Sequence, residues 1–118
     1  MDIAFQKRRV DELVVQPMHQ MIHEYGLDTY DDDDILAVKS ILDAYMEALA
    51  GLNQPDDAQI MAQVQKVVLA LNDLNESKDY ELIETEEREW LWEVIQKAAE
   101  DCGLQDVPED VTEEWRDW

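Results

Sequence analysis

The sequence predicts an all-α protein, an antiparallel bundle of four main helices with a short C-terminal helix. Three observations carry this reading. Apolar residues recur at i, i+3, i+4 and i+7 through four long segments, the spacing that lines one face of a helix. Only three Gly and three Pro occur in 118 residues, so turn chemistry is scarce and the elements must be few and long. No stretch sustains the period-two alternation of a half-buried strand. At this length one domain is expected over 1–118, with a kinked N-terminal helix over 1–26 and an acidic bundle over 31–118.

The first helix runs from about Ile3 to Tyr25, with Val10, Val14, Met18, Met21 and Tyr25 as its stripe. Pro17 has no amide proton and its ring crowds the preceding turn, so a kink or break is expected near Gln16. Gly26 then ends the helix. A second helix opens in Asp31-Asp32-Asp33-Asp34, where carboxylates cap free amides and meet the positive end of the helix dipole. It carries Ile35, Val38, Ile41, Leu42, Tyr45, Met46 and Leu49 and ends near Gly51. Pro55-Asp56-Asp57 opens the third, whose stripe is Ile60, Val64, Val67, Val68, Leu71 and Leu74. After the polar link Glu76-Ser77-Lys78-Asp79 the fourth spans Thr85 to Asp101, presenting Trp90, Leu91, Val94, Ile95, Ala98 and Cys102, and Gly103 closes it. In the tail, Val111, Trp115 and Trp118 are spaced to fall on one side of a short helix lying against the bundle.

Charge is the strongest functional signal. Thirty Asp and Glu face nine Lys and Arg, a formal net charge of −21. Hydrophobic residues still make up 46%, so the chain has the apolar content of a folded domain and not of an acidic disordered one. Such charge destabilises the compact state by self-repulsion, which points to a basic partner as the reason for it. Phosphate backbones and anionic bilayers would be repelled, so neither direct nucleic-acid binding nor membrane binding is expected. The basic run Lys7-Arg8-Arg9 is too short to reverse this and reads as a solvated helix face. One cysteine, no apolar run long enough for a span and no signal-peptide core give a cytoplasmic expectation.

Asp31–Asp34 lacks the spaced carboxylates, Gly and distal Glu of a calcium loop, which leaves helix capping or partner docking. His19 and His23 lie four apart, a spacing that suits a metal, but Gln20 stands where a metalloprotease helix has Glu. They read as surface or bundle-edge histidines. Cys102 lies at a helix C-terminus among Glu100 and Asp101, the opposite of what activates a thiolate. It reads as a small buried hydrophobe. No nucleophile–base set and no phosphate loop is present, so neither catalysis nor a cofactor or metal is expected. Trp90 and Trp92, two apart, diverge on a helix; Trp90 belongs with the core stripe and Trp92 with its boundary.

From Tyr30 onward, Tyr30-Asp31-Asp32-Asp33, Val38-Lys39, Leu71-Asn72-Asp73-Leu74, Ile83-Glu84-Thr85, Arg88-Glu89, Gly103 and the ending Trp115-Arg116-Asp117-Trp118 form an ordered set. This order resembles a family of small acidic helical bacterial proteins with no characterised activity. The resemblance covers about three quarters of the chain; the family pattern has an aromatic after the acidic run, where this chain has Asp34-Ile35. It implies a bacterial, all-helical, cytoplasmic protein and carries over no catalytic residue. By analogy, small acidic helical bacterial proteins include immunity proteins.

The expectation is a non-catalytic protein that neutralises a basic protein partner, foremost an immunity protein blocking the active site of a toxin, such as one acting on nucleic acid. Asp31, Asp32, Asp33, Glu84, Glu86 and Glu87 would supply carboxylates, and Trp92 a desolvated aromatic anchor. The alternatives are a phage-type DNA mimic that disables a defence protein, and an acidic helical adaptor or assembly subunit.

Overall fold

Pro17 shapes the first helix without ending it. The computed structural model describes all of residues 1–118, and every regular element in it is helical. Helix α1 (Ile3–Val10) passes through a wider π turn (Asp11–Val15) into α2 (Gln16–His23), and the backbone stays in the right-handed helical region at each junction. Within the π turn the Gln16 amide reaches five residues back to the Asp11 carbonyl. The hydrogen-bond ladder thereby shifts register where the proline removes a donor, and Pro17 falls in the first turn of α2, where its missing N–H costs little.

Three further helices follow, α3 (Asp32–Ala50), α4 (Asp57–Ser77) and α5 (Thr85–Asp101), so the protein is a bundle of four helices. Their starts are where the acidic runs pointed. Asp31 accepts the Asp34 amide at 3.0 Å while Asp34 accepts the Asp31 amide at 3.0 Å. Asp56 and Gln59 exchange the same pair at the head of α4, at 2.8 and 3.0 Å. A reciprocal cap of this kind satisfies two free amides and stabilises a helix start by about 1 kcal/mol.

The apolar stripes meet in one core of 24 buried residues. Val10, Val14 and Met18 pack with Leu42, Met46, Val64, Leu71, Leu91 and Ile95 within it. Tyr25, expected on the first stripe, is instead 71% exposed, because α2 ends at His23 and the chain turns at Gly26 with φ +70°. The connecting segments fill the vacancy at the ends of the bundle: Tyr30, Leu82, Ile83, Leu104 and Val111 are all buried.

The expected C-terminal helix does not form. Residues 111–115 make consecutive turns and not a helix, and the segment is held at both ends from the bundle. The buried Asn72 of α4 donates its amide to the Trp115 carbonyl at 2.8 Å and accepts the Asp117 amide at 3.2 Å. Gln96 of α5 accepts the Val111 amide at 3.2 Å. The tail is therefore clamped between α4 and α5 by side-chain amides.

Polar contacts sort the helix termini into two ends. Lys78, just after α4, meets Asp34 at the start of α3 at 2.8 Å, and Tyr30 just before α3 reaches Glu87 in the first turn of α5 at 3.0 Å. At the other end Arg9 and Gln6 of α1 hold Asp101 at the close of α5, and Asp57 at the head of α4 accepts the amides of Gln105 and Asp106. No helix is long and apolar enough to cross a membrane.

Candidate acidic docking face

The acidic residues named from the sequence come together at one end, but they are not equivalent there. Asp31 and Asp33 are exposed, with Asp31 committed to its cap. Asp32 is exposed and sits against the two histidines of α2, its Oδ1 3.1 Å from His19 Nδ1 and 3.2 Å from His23 Nε2. Glu84 and Glu86 are exposed and form no ion pair. Glu87 departs from expectation: it is 2% exposed, accepts the Tyr30 hydroxyl and the Glu84 amide, and so offers nothing to a partner. The period of the helix accounts for it, since Glu87 lies four before Leu91 and seven before Val94, on the buried stripe.

Burial has consequences for ionisation. The Tyr30 hydroxyl is taken from water beside a carboxylate, and both effects drive its pKa well above the ordinary phenol value. Tyr45, wholly buried and donating to the Ile95 carbonyl at 2.9 Å, is raised in the same direction by desolvation. At Asp34 burial opposes the charge, yet the Lys78 ammonium and the Asp31 amide outweigh it and hold the carboxyl below its usual range.

Trp92 lies at the boundary, as its spacing required, and its surroundings extend beyond α5. Its indole N–H donates to Gln96 Oε1 at 2.7 Å, the same oxygen that accepts the Val111 amide of the tail. A cleft of about 450 Å³ opens there between α5 and the tail. Arg88, Glu89, Glu109, Asp110, Glu113 and Arg116 surround the indole, four carboxylates to two guanidinium groups. Arg116 is committed to Asp110 at 3.4 Å and to the Trp118 carbonyl at 2.6 Å. Glu89, Glu109 and Glu113 have no cation of their own. A half-buried aromatic face flanked by three carboxylates without ion pairs, and by two guanidinium groups of which Arg116 is already engaged, suits an Arg or Lys side chain through cation–π attraction and charge-assisted hydrogen bonds.

The tail carboxylates of this cleft were missed from the sequence because they reach α5 only through the Asn72 and Gln96 clamps. The nearest local signal was Trp92-x-x-x-Gln96, one helical turn apart, which pairs an indole donor with an amide acceptor. Cys102 is partly buried, its thiol facing the Leu49 carbonyl at 3.7 Å, and desolvation raises its pKa, so it is not an activated thiolate. No protein-family model, no curated protein and no solved structure matches the chain.

Proposed function

We propose that the protein is a non-catalytic acidic binding protein of the bacterial cytoplasm that neutralises a basic protein partner, in the manner of an immunity protein blocking a toxin's active site. The observation that carries the reading is the coincidence on α5 of the exposed carboxylates Glu86 and Glu89, next to the capping Glu84, with the half-buried Trp92 and its acidic cleft. Six of the nine cations, Lys7, Arg9, Lys39, Lys78, Lys97 and Arg116, are held in ion pairs with the protein's own carboxylates, and with thirty Asp and Glu to nine Lys and Arg most acidic groups keep no counter-charge. That field steers a basic protein into encounter at rates on the order of 10⁸ M⁻¹s⁻¹ at low salt. Insertion of a basic side chain over Trp92 then sets the lifetime of the complex. The sequence resemblance noted above favours the bacterial setting, and the helix termini gathered at each end support an antiparallel course for the bundle.

The test is a parallel low-salt pull-down from the native host with the wild type and with Glu86→Lys/Glu89→Lys, followed by kinetics on the purified partner. The expected partner is basic, associates at least tenfold more slowly with the double variant, and loses the salt dependence of its on-rate. A partner held equally well by both proteins would place the interface elsewhere. Release of the partner by duplex DNA would favour the DNA-mimic alternative.

A further inference from the structure

We infer that His19, His23 and Asp32 form a zinc site that ties the end of α2 to the start of α3. The histidines stand one turn apart with rings stacked, centroids 5.8 Å apart and planes at 19°. A single oxygen of Asp32 approaches both, 3.1 Å from His19 Nδ1 and 3.2 Å from His23 Nε2, and the three atoms all lie within 4.8 Å of one another. Zinc holds nitrogen at about 2.0–2.1 Å and carboxylate oxygen at about 2.0–2.2 Å, so tetrahedral ligand atoms stand roughly 3.3–3.5 Å apart. Two of the three edges are already close to that length. The remaining one closes by a small rotation of exposed side chains, since none of the three is packed in the core.

The donor set selects the metal. Two imidazoles and one carboxylate favour zinc and its transition-metal neighbours over calcium or magnesium, which take oxygen ligands. Coordination requires the tautomers that leave His19 Nδ1 and His23 Nε2 unprotonated, and no net proton is lost from either neutral ring. A polar hollow of about 460 Å³, lined by both histidines with Glu12, Gln16, Gln20 and Glu24, lies on the α2 side of the cluster. The ligands come from two helices joined by the segment 24–31, so the ion would cross-link that connection and stabilise the folded state by mass action. No reaction is implied; the site is a staple.

Because an acidic protein also collects zinc loosely on its carboxylates, the test rests on the histidines. Zinc titrated into the full chain in a non-coordinating buffer is expected to bind with a 1:1 stoichiometry and to raise the Tm, and Co²⁺ in its place to give visible d–d absorption. Calcium at the same concentration should reproduce neither effect. His19→Ala/His23→Ala should abolish the 1:1 phase and the Co²⁺ spectrum while the far-UV CD is unchanged, since both positions are surface-facing. Asp32→Asn should weaken zinc at least tenfold, with the helix start intact because Asp31 is the cap. A 1:1 isotherm and a Tm shift that survive in the double alanine variant would overturn the site and leave only diffuse binding by carboxylates. Absence of a 1:1 phase in the wild type would overturn it too.

Discussion

At the entrance of α3 the third helical residue, Asp34, turns back to accept the amide of Asp31, and at the entrance of α5 Glu87 does the same for Glu84. Both carboxylates are buried, at 6% and 2% exposure. Their second partners differ. Asp34 meets an ammonium, Lys78, whereas Glu87 meets a neutral hydroxyl, Tyr30. A cation offsets desolvation through charge, but a phenol offers only a hydrogen bond, so Glu87 depends on Tyr30 for geometry that charge cannot replace. Two acidic runs that look alike in sequence are thus held by different physics. Within each, the third carboxylate is turned inward, while Asp33 at one entrance and Glu86 at the other stay exposed.

The largest effect should come from removing the hydroxyl. Tyr30→Phe leaves Glu87 Oε2 buried without its donor, and the loss should be roughly 1.5–3 kcal/mol in urea unfolding at pH 7. In a Glu87→Gln background the same substitution leaves a neutral amide unpaired and should cost less, about 0.5–1.5 kcal/mol. Equal costs in the two backgrounds would mean that the charge on Glu87 is irrelevant and that the comparison fails. Alkaline pH tests the same bond from the other side. Tyr30 and Tyr45 have folded pKa values above the unfolded value of about 10, so their stabilisation is complete below pH 10 and is lost as pH rises above it. The phenolate absorbance of both should therefore appear only with alkaline unfolding, and the gap between wild type and Tyr30→Phe should narrow above pH 10.

Lys78→Met probes the charged counterpart and should lower the Tm less, since the Lys78 side chain is 40% exposed and water can replace part of its contact. The sign with pH is opposite to that of Tyr30. The folded pKa of Asp34 is depressed, so its contribution is present above the ordinary Asp value near 3.9 and is lost as pH falls through the folded value. Thermal melts of wild type and Lys78→Met should differ at pH 7 and converge as the pH falls well below the ordinary Asp value and Asp34 protonates in both. A gap that stays constant would mean that Lys78 acts by packing its stem and not by charge.

The periodic segments disclosed the helices because helix period and burial are local properties. Thr85 and Asp101 bound α5 as Gly103 and the polar link suggested, and Asp31 and Asp56 cap as their positions implied. What escaped the sequence is long-range. The clamp of Asn72 on the tail spans 43 residues, and that of Tyr30 on Glu87 spans 57. An apolar stripe says which face is buried, but not which polar residue a distant segment will satisfy. Glu87 was legible in principle, lying in register with Leu91 and Val94, yet its acidity outweighed its position. The Trp92 cleft and the Asp32 contact with both histidines likewise exist only once separate helices meet.

The smallest expected effect lies in the turn that joins Lys78 to the α5 entrance. Asp79 and Tyr80 both have left-handed backbone, at φ +57° and +62°, and the chain needs it there because the Tyr80 amide folds back to the Asn75 carbonyl at 2.9 Å. Asp tolerates that region, but a bulky aromatic is strained in it, and the Tyr80 ring is 52% exposed and makes little packing in return. Tyr80→Gly relieves the strain and adds freedom to the unfolded chain, two effects of opposite sign that leave a small gain. The Tm should rise by about 1–4 °C. Because the same turn carries Lys78 and the buried Ile83, which donates its amide to Asn75 at 2.9 Å, a fall in Tm would have a definite meaning. It would show that the Tyr80 ring, and not the Asn75 bonds alone, holds the turn that places Lys78 beside Asp34.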